Sequence, residues 1–397
     1  MTEASSGPGR AKTLVLFLSN GGSLTRWKAE GILSREILLY LQFIRSGVFE
    51  RVNVFSYDPA DHALLAELRN TDPAFAGIEV LTPPKAFGRL SGPLAAFYGF
   101  LGIAIHAREI RWADWLKTNQ ISGAWAAIFA RLTLGPKLLI RLGYVLSRRF
   151  AMNGQKTKAA LARFVEGAAF RAADQVVVTS EDAAKLLRAD KAIAAKVALS
   201  PTYVDVNLFK AKDDYAFDEP VIWIGRFEPQ KNILNLVRAC QAIGRPLHLV
   251  GVGSLESEIR ALAGQGTTEI KLLGRVPNEE LAPLLRTYCV FALPSLHEGL
   301  PKVLIEAMAV GLVCVGSRIP GIVDLVEDGV SGYLIDGFEV DAIAARLNAA
   351  FTERRADVGQ AARKVVENTF SLERYVQREA ALYAATPPLA SAPAHAQ

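Results

Sequence analysis

The chain has 397 residues, of which 51% are hydrophobic and 21% charged. That composition excludes an intrinsically disordered polypeptide and leaves room for two or three domains. Its net charge of +5 is uneven: residues 1–200 hold 26 Lys and Arg against 16 Asp and Glu (+10), whereas residues 201–397 hold 19 against 24 (−5). A basic half suits an anionic partner (a phosphorylated substrate, a lipid surface or nucleic acid) or is simply an unevenly charged surface.

Three cysteines, Cys240, Cys289 and Cys314, each lie in an apolar run. They match neither a disulfide framework nor a zinc spacing, and read as buried, reduced thiols of a cytosolic protein. No segment reaches the roughly 18 apolar residues that a membrane helix needs. The first residues lack the basic-then-apolar order of a signal peptide.

Residues 1–11 and 386–397 are polar or Pro/Ala-rich and read as disordered tails. Between them, short apolar runs alternate with longer helical stretches. Thr13–Leu18, Val52–Tyr57, Lys137–Arg141 and Gln175–Thr179 are strand-like in the first half. Val221–Ile224, Pro246–Val250, Ile270–Leu273, Cys289–Leu293 and Leu312–Val315 follow in the second. Such continuous runs suit parallel strands covered on both faces. The helical periodicity of Ile233–Ile243 and Leu255–Ala263 completes βαβ units. The expected class is α/β with two Rossmann-like doubly wound domains, 12–205 and 219–366. The polar, acidic stretch 206–218 reads as their linker, and 367–385 as a C-terminal helix.

Chemistry-bearing residues gather after the second-half strands, where open α/β sheets place their ligands. Val221–Ile224 runs into Gly225-Arg226-Phe227-Glu228-Pro229-Gln230-Lys231-Asn232. Arg226 and Lys231 are two cations across one turn, suited to a diphosphate or else solvated surface charges. Gly251-Val252-Gly253-Ser254 resembles a phosphate-binding turn but lacks the third glycine, Glu256 standing there; an ordinary βα turn fits equally. Gly274-Arg275-Val276-Pro277 offers backbone to a nucleobase edge, with Asn278 as the expected cap of the next helix.

The longest motif follows Cys289–Leu293: Pro294-Ser295-Leu296-His297-Glu298-Gly299-Leu300-Pro301-Lys302, with Glu306 eight residues after Glu298. Pro301 suits the first turn of a helix. A carboxylate accepts two hydrogen bonds and therefore suits vicinal hydroxyls. Separately, the two glutamates read as a helix-end charge and a Lys302–Glu306 pair of about 0.2–0.5 kcal/mol.

Taken together and in this order, the motifs resemble the retaining glycosyltransferases of family 4, which have the GT-B fold of two Rossmann-like domains facing across a cleft. The resemblance covers about residues 200–340, including Ser317-Arg318-Ile319-Pro320-Gly321 and Glu327-Asp328-Gly329-Val330-Ser331-Gly332. It implies a nucleotide-sugar donor, UDP- or GDP-linked, bound mainly by the second domain. Arg226 and Lys231 would hold the diphosphate. Glu298 with the backbone of Gly299 and Leu300 would hold the donor sugar, and Glu306 the ribose. Gly225, Gly251, Gly253, Arg275 and Val276 would line the donor site. The C-terminal helix would cross back to the first, acceptor-binding domain.

The sequence departs from the family at Pro301, where many relatives have glycine, and at Pro201-Thr202-Tyr203-Val204-Asp205. It also lacks a histidine after Leu138–Ile140. Arg141 or Tyr144 is left to take that place, although Arg141 reads equally as a buried structural residue. Gly21, Gly22 and Asn119 are further candidates for the acceptor side, Asn119 within Lys117-Thr118-Asn119-Gln120 at the end of a probable strand. In Gly88–Arg111 and Gly123–Arg149 apolar stretches adjoin basic ones, as on a peripheral protein of an anionic inner leaflet, or as core plus solvated charges.

The expected activity is therefore hexosyl transfer with retention, from a UDP- or GDP-sugar to a glycan or polyprenyl-linked glycan of the cell-surface polysaccharide or lipopolysaccharide type. No Asp-x-Asp occurs in the sequence, so neither a metal nor another cofactor is expected. A nucleotide-sugar epimerase or sugar phosphorylase of similar fold is the alternative. A non-catalytic nucleic-acid binder would use the basic half, yet interleaved aromatics and binding motifs are missing.

Overall fold

The structure is a computed structural model that describes residues 12–143, 145–152 and 154–385, without the side chains of Ser122, Arg149 and Met152. Both expected tails and Tyr144 lie outside the described residues.

Two all-parallel sheets account for the apolar runs. The first holds β1 (Thr13–Phe17), β2 (Arg51–Phe55), β3 (Ile78–Leu81), β4 (Trp115–Thr118), β5 (Lys137–Leu142), β6 (Gln175–Val178) and β7 (Val197–Leu199), in the order β3-β2-β1-β4-β5-β6-β7. The second holds β8 (Val221–Ile224), β9 (Leu247–Val250), β10 (Ile270–Gly274), β11 (Val290–Leu293), β12 (Val313–Ser317) and β13 (Tyr333–Ile335), in the order β10-β9-β8-β11-β12-β13. Both faces of the central strands are apolar: Leu14, Val15, Leu16 and Phe17 are fully buried, as are Val221, Ile222 and Trp223. Each such side chain contributes about 1.5–3 kcal/mol on leaving water. Each order reverses direction once, between β1 and β4 and between β8 and β11. These are the switch points at which ligands of doubly wound sheets bind.

The chain divides into two compact units, residues up to Ser200 together with those from Val376, and Pro201–Tyr375. The expected linker 206–218 is packed into the second unit. Phe209 and Phe217 are buried there, and Lys212 donates to the Tyr288 carbonyl and, at 3.0 Å, to Cys289 Sγ. Arg363 reaches back to the carbonyls of Val206, Phe209 and Ala309. Aromatic residues spaced through an acidic stretch are thus what anchors it.

The short strands β3, β7 and β13 were not expected. Two caps also differ: Pro277, without a side-chain bond, holds the cap position of helix Asn278–Leu285, and Asn278 is its first residue. Likewise Pro301 precedes helix Lys302–Val310 instead of entering its first turn. Cys240, Cys289 and Cys314 are buried free thiols, as expected, and burial pushes Cys289 up to about 11.

Helix Leu372–Ala385 belongs to the second unit through Tyr375, whose ring packs on Tyr203, and to the first from Val376 onward. In the first unit Glu379 accepts from Lys117, both fully buried, and from the Tyr383 hydroxyl at 2.7 Å. Lys117 and Thr118 therefore face the interior, and the candidacy of 117–120 for a binding surface narrows to Asn119 and Gln120. Burial pushes the Lys117 ammonium below its ordinary pKa, against the pull of Glu379.

Candidate functional site

Five turns at the carboxyl ends of the second sheet lock onto one another. Gly225 N–H donates to Val250 O (3.0 Å), Phe227 N–H to Val252 O (3.0 Å) and Gly251 N–H to Gly274 O (2.8 Å). Gly251 has φ +141°, and a Cβ there would lie 1.8 Å from Gly225 O, so only glycine fits. A Cβ at Gly253 would lie 2.5 Å from the backbone N and O of Phe227. The glycines that resemble an anion-binding turn thus have a packing reason of their own: they let the turns after β8, β9 and β10 touch.

The turn after β8 then joins the turn after β11, across the switch point. Leu296 N–H donates to Gln230 O (2.8 Å), and Gln230 Nε2 to His297 O (2.8 Å). Lys231 Nζ donates to Glu298 Oε1 at 2.5 Å, with the two side chains 14% and 8% exposed. Asn232, in left-handed conformation at φ 53°, ties this turn to Phe338 O at 2.9 Å.

Behind Glu298 stands the turn after β12. Gly321 (φ +84°) would bring a Cβ to 1.9 Å from Gly299 O. Arg318, in the same turn, pairs with Asp328 (2.7 Å) and Asp336. Asp328 also accepts from Leu334 N–H (2.9 Å), and Ser331 Oγ from Glu327 N–H (3.0 Å). The two downstream motifs are a buttress for the loop that carries Glu298.

Of the remaining candidates, Arg226 is exposed and its side chain has no hydrogen-bond or ionic partner among the described residues. Arg275 is exposed, while Val276 and Leu300 are half-buried against the core. Gly299 is exposed at the turn, and Glu306 is buried in helix Lys302–Val310. Lys302 Nζ lies 4.9 Å from the Tyr203 ring centroid, a cation–π contact. The geometry brings together Lys231, Glu298 and Gly299. Gln230, Asn232 and Gly321 support that group and were missed as site residues; their signal was there in part, since Gln230 and Asn232 flank Lys231 in sequence.

The switch point of the first sheet is also open. A pocket of about 250 Å³ is lined by Leu18, Ser19 and Gly22 after β1, by Asn119 and Gln120 after β4, and by Arg26, Trp27, Glu30 and Arg35 among others. Gly21 (φ 72°) and Gly22 form the turn, Gly22 N–H donating to Ser19 O at 2.7 Å. Arg141 lies half-buried at the end of β5 and is not part of that lining. Among the described residues no three His, Cys, Asp or Glu side chains come together as a metal site would need.

Comparison with known proteins fits this geometry. Residues 219–353 match the family described as Glycosyl transferases group 1. The putative colanic acid biosynthesis glycosyltransferase WcaL of Escherichia coli K12 is 33% identical over 205 residues, 47% of this chain and 50% of that protein. The O-antigen chain mannosyltransferase B of Escherichia coli is 32% identical over 173 residues, 40% of this chain and 45% of that protein. The chain thus spans about half the length of the curated relatives it matches. Among solved structures, Anabaena HepE in complex with UDP superposes with a TM-score of 0.70 at 19% identity, covering 94% of this chain and 99% of that one. Sucrose-phosphate synthase from Thermosynechococcus elongatus gives 0.71 at 21%, covering 94% and 98%. The fold is GT-B, and residues 219–353 are similar to the group 1 glycosyltransferase domain.

Proposed function

We propose that this chain is a retaining glycosyltransferase that moves a hexosyl group from a UDP- or GDP-sugar to a glycan or polyprenyl-linked glycan acceptor, without a metal or other cofactor. The observation that carries the reading is the Lys231–Glu298 pair, held at the switch point by the turns after β8 and β11, with Arg226 unengaged on the first of them. Relatives named for colanic acid and O-antigen synthesis support a cell-surface polysaccharide product. HepE, solved with UDP and with UDP-glucose, supports the donor class. The buried free thiols suit the reducing cytoplasm.

In this reading donor binding is an exchange. The diphosphate takes the Lys231 ammonium and the Arg226 guanidinium, and the released Glu298 carboxylate accepts from sugar hydroxyls. Gly299 and Leu300 offer backbone to the sugar, and Glu306 accepts from the ribose. As the bond from the anomeric carbon to the diphosphate breaks, negative charge grows on the leaving oxygens. Two fixed cations stabilise it there, the task a divalent ion performs elsewhere. The pocket after β1 and β4, with Gly22 and Asn119, takes the acceptor.

A panel of nucleotide sugars tests the donor: ligand binding raises the melting temperature by mass action. A response to UDP- or GDP-sugars is expected, and no response to any of them overturns the proposal. Turnover should persist in EDTA; complete loss restored by Mn²⁺ overturns the metal-free mechanism. Product NMR should show the donor's anomeric configuration.

A further inference from the structure

Seventeen large hydrophobic side chains are exposed among the described residues, and twelve of them lie between Phe87 and Val165. Helix Gly92–Ile105 has no charged residue. Its inner side, with Ala95, Tyr98 and Ile103, packs into the core. Its outer side presents Leu94, Phe97, Leu101 and Ile105 to solvent, Phe97 being 65% exposed. That spacing puts them on one stripe. Helix Lys156–Ala172 repeats the arrangement: Ala159, Ala162, Ala169 and Phe170 face inward, while Leu161, Phe164 (76%) and Val165 face outward. Helix Ala124–Leu134 touches both helices and adds Phe129 and Leu132. Phe100 packs on Trp125 and Phe129 at ring-centroid distances of 4.7 and 5.1 Å, which makes the apolar surface continuous across the first gap. A surface helix normally turns charged residues to water; on helix Gly92–Ile105 the water side is as apolar as the core side.

The excess charge around this face is positive. Residues 85–171 contain 14 Lys and Arg and three acidic residues. Of those three, Glu166 is buried and accepts from the Leu146 and Ser147 N–H groups, Asp114 accepts from Thr13 N–H, and Glu109 is exposed. Arg131, Arg148 and Arg171 are paired with Asp174, Asp182 and Asp190. Lys85 and Arg89 ahead of helix Gly92–Ile105, Arg108 and Arg111 after it, and Lys156, Lys158 and Arg163 on helix Lys156–Ala172 are exposed and have no acidic partner among the described residues.

We infer that the joint outer face of these three helices docks the protein on the surface of an anionic lipid bilayer. Apolar side chains enter the boundary between headgroups and acyl chains, and the cations meet lipid phosphates. The helices lie on the membrane and do not cross it: 14 residues span about 21 Å, short of the roughly 30 Å hydrocarbon core, and no helix among the described residues is long and apolar enough to cross. A second copy of the chain is a poorer occupant, because two such faces would oppose seven uncompensated cations to seven.

The test is flotation of the full chain with vesicles, without donor, so that its outcome is independent of the proposed transferase activity. Binding is expected to phosphatidylcholine vesicles containing about 30 mol% phosphatidylglycerol, weaker binding to phosphatidylcholine alone, and loss at high salt. Phe97→Glu combined with Phe164→Glu should weaken binding about tenfold or more. Lys156→Glu, Lys158→Glu and Arg163→Glu together should do the same for anionic vesicles, and this second set keeps the test decisive if the first unfolds. Absence of binding to anionic vesicles overturns the inference, as does wild-type binding by folded variants. It is also overturned if sedimentation shows a dimer that these substitutions dissolve while vesicle binding persists.

Discussion

Two lysine–glutamate pairs, one in each unit, show how burial separates two uses of the same chemistry. Lys117 and Glu379 are wholly enclosed, with the ammonium also 5.3 Å from the ring centroids of Tyr40 and Phe43. No ligand reaches such a pair, and its role is to fix the end of helix Leu372–Ala385 to the first sheet. Lys231 and Glu298 meet at the mouths of two turns and keep part of their surface in solvent. In the proposed function a diphosphate replaces Glu298 at Lys231, and a hydroxylated sugar replaces Lys231 at Glu298. Enclosure makes the first pair structural; access leaves the second open to exchange.

The comparison breaks most sharply on Lys117→Ala, which strands Glu379 in the interior. A loss of about 3–5 kcal/mol is expected in calorimetric unfolding, while Lys117→Met with Glu379→Leu should stay near wild type. Equal melting of Lys117→Ala and wild type would end the structural reading. Lys231→Ala should do the reverse: stability falls less than for Lys117→Ala, and turnover drops about 10²-fold or more, as when one transition-state donor is removed. An unchanged rate takes Lys231 out of the site. Next in size is Gly321→Ala, which forces a left-handed residue against Gly299 O. About 1–2 kcal/mol of stability should go, with a raised donor KM because the Glu298 turn shifts; an unchanged KM would separate the buttress from the site.

The smallest effect sharpens the account of that buttress. Partial burial raises the Asp328 carboxyl, but Leu334 N–H, Arg318 and Arg346 outweigh it and hold the group below the usual carboxylate range. A depressed folded pKa contributes stability that is present above the unfolded value of about 3.9 and is lost as pH falls through the folded one. Thermal unfolding of the wild type should therefore weaken more steeply below about pH 4 than that of Asp328→Asn. Parallel curves would show that the carboxylate does not hold the turn.

Much of this was legible in the chain because parallel strands covered on both faces leave unbroken apolar runs, as in Thr13–Phe17 and Val221–Ile224, and because motifs follow those runs directly. Two doubly wound α/β domains and the turns carrying Arg226, Lys231 and Glu298 could be read in that way; GT-B itself came from the resemblance of the ordered motifs to family 4 glycosyltransferases. Strands β7 and β13, three residues each, offer too short a run to stand out. The Lys231–Glu298 contact joins residues 67 apart in sequence, and spacing carries no sign of it. Lys117 looked like part of a surface because a lysine is rarely enclosed; its partner comes from a helix 262 residues away. The linker misled for a similar reason, since its acidic composition hides the aromatic anchors that dock it.

The glycine contacts at Gly251 and Gly321 have a consequence for how such a scaffold diversifies. Turns that touch main chain to main chain cannot lengthen or shorten one at a time, because each is the wall of the next. With the donor site as proposed, new sugar preferences would arise by exchanging the few side chains that project beyond this framework, such as Arg275 and Leu300, while the loop lengths stay frozen.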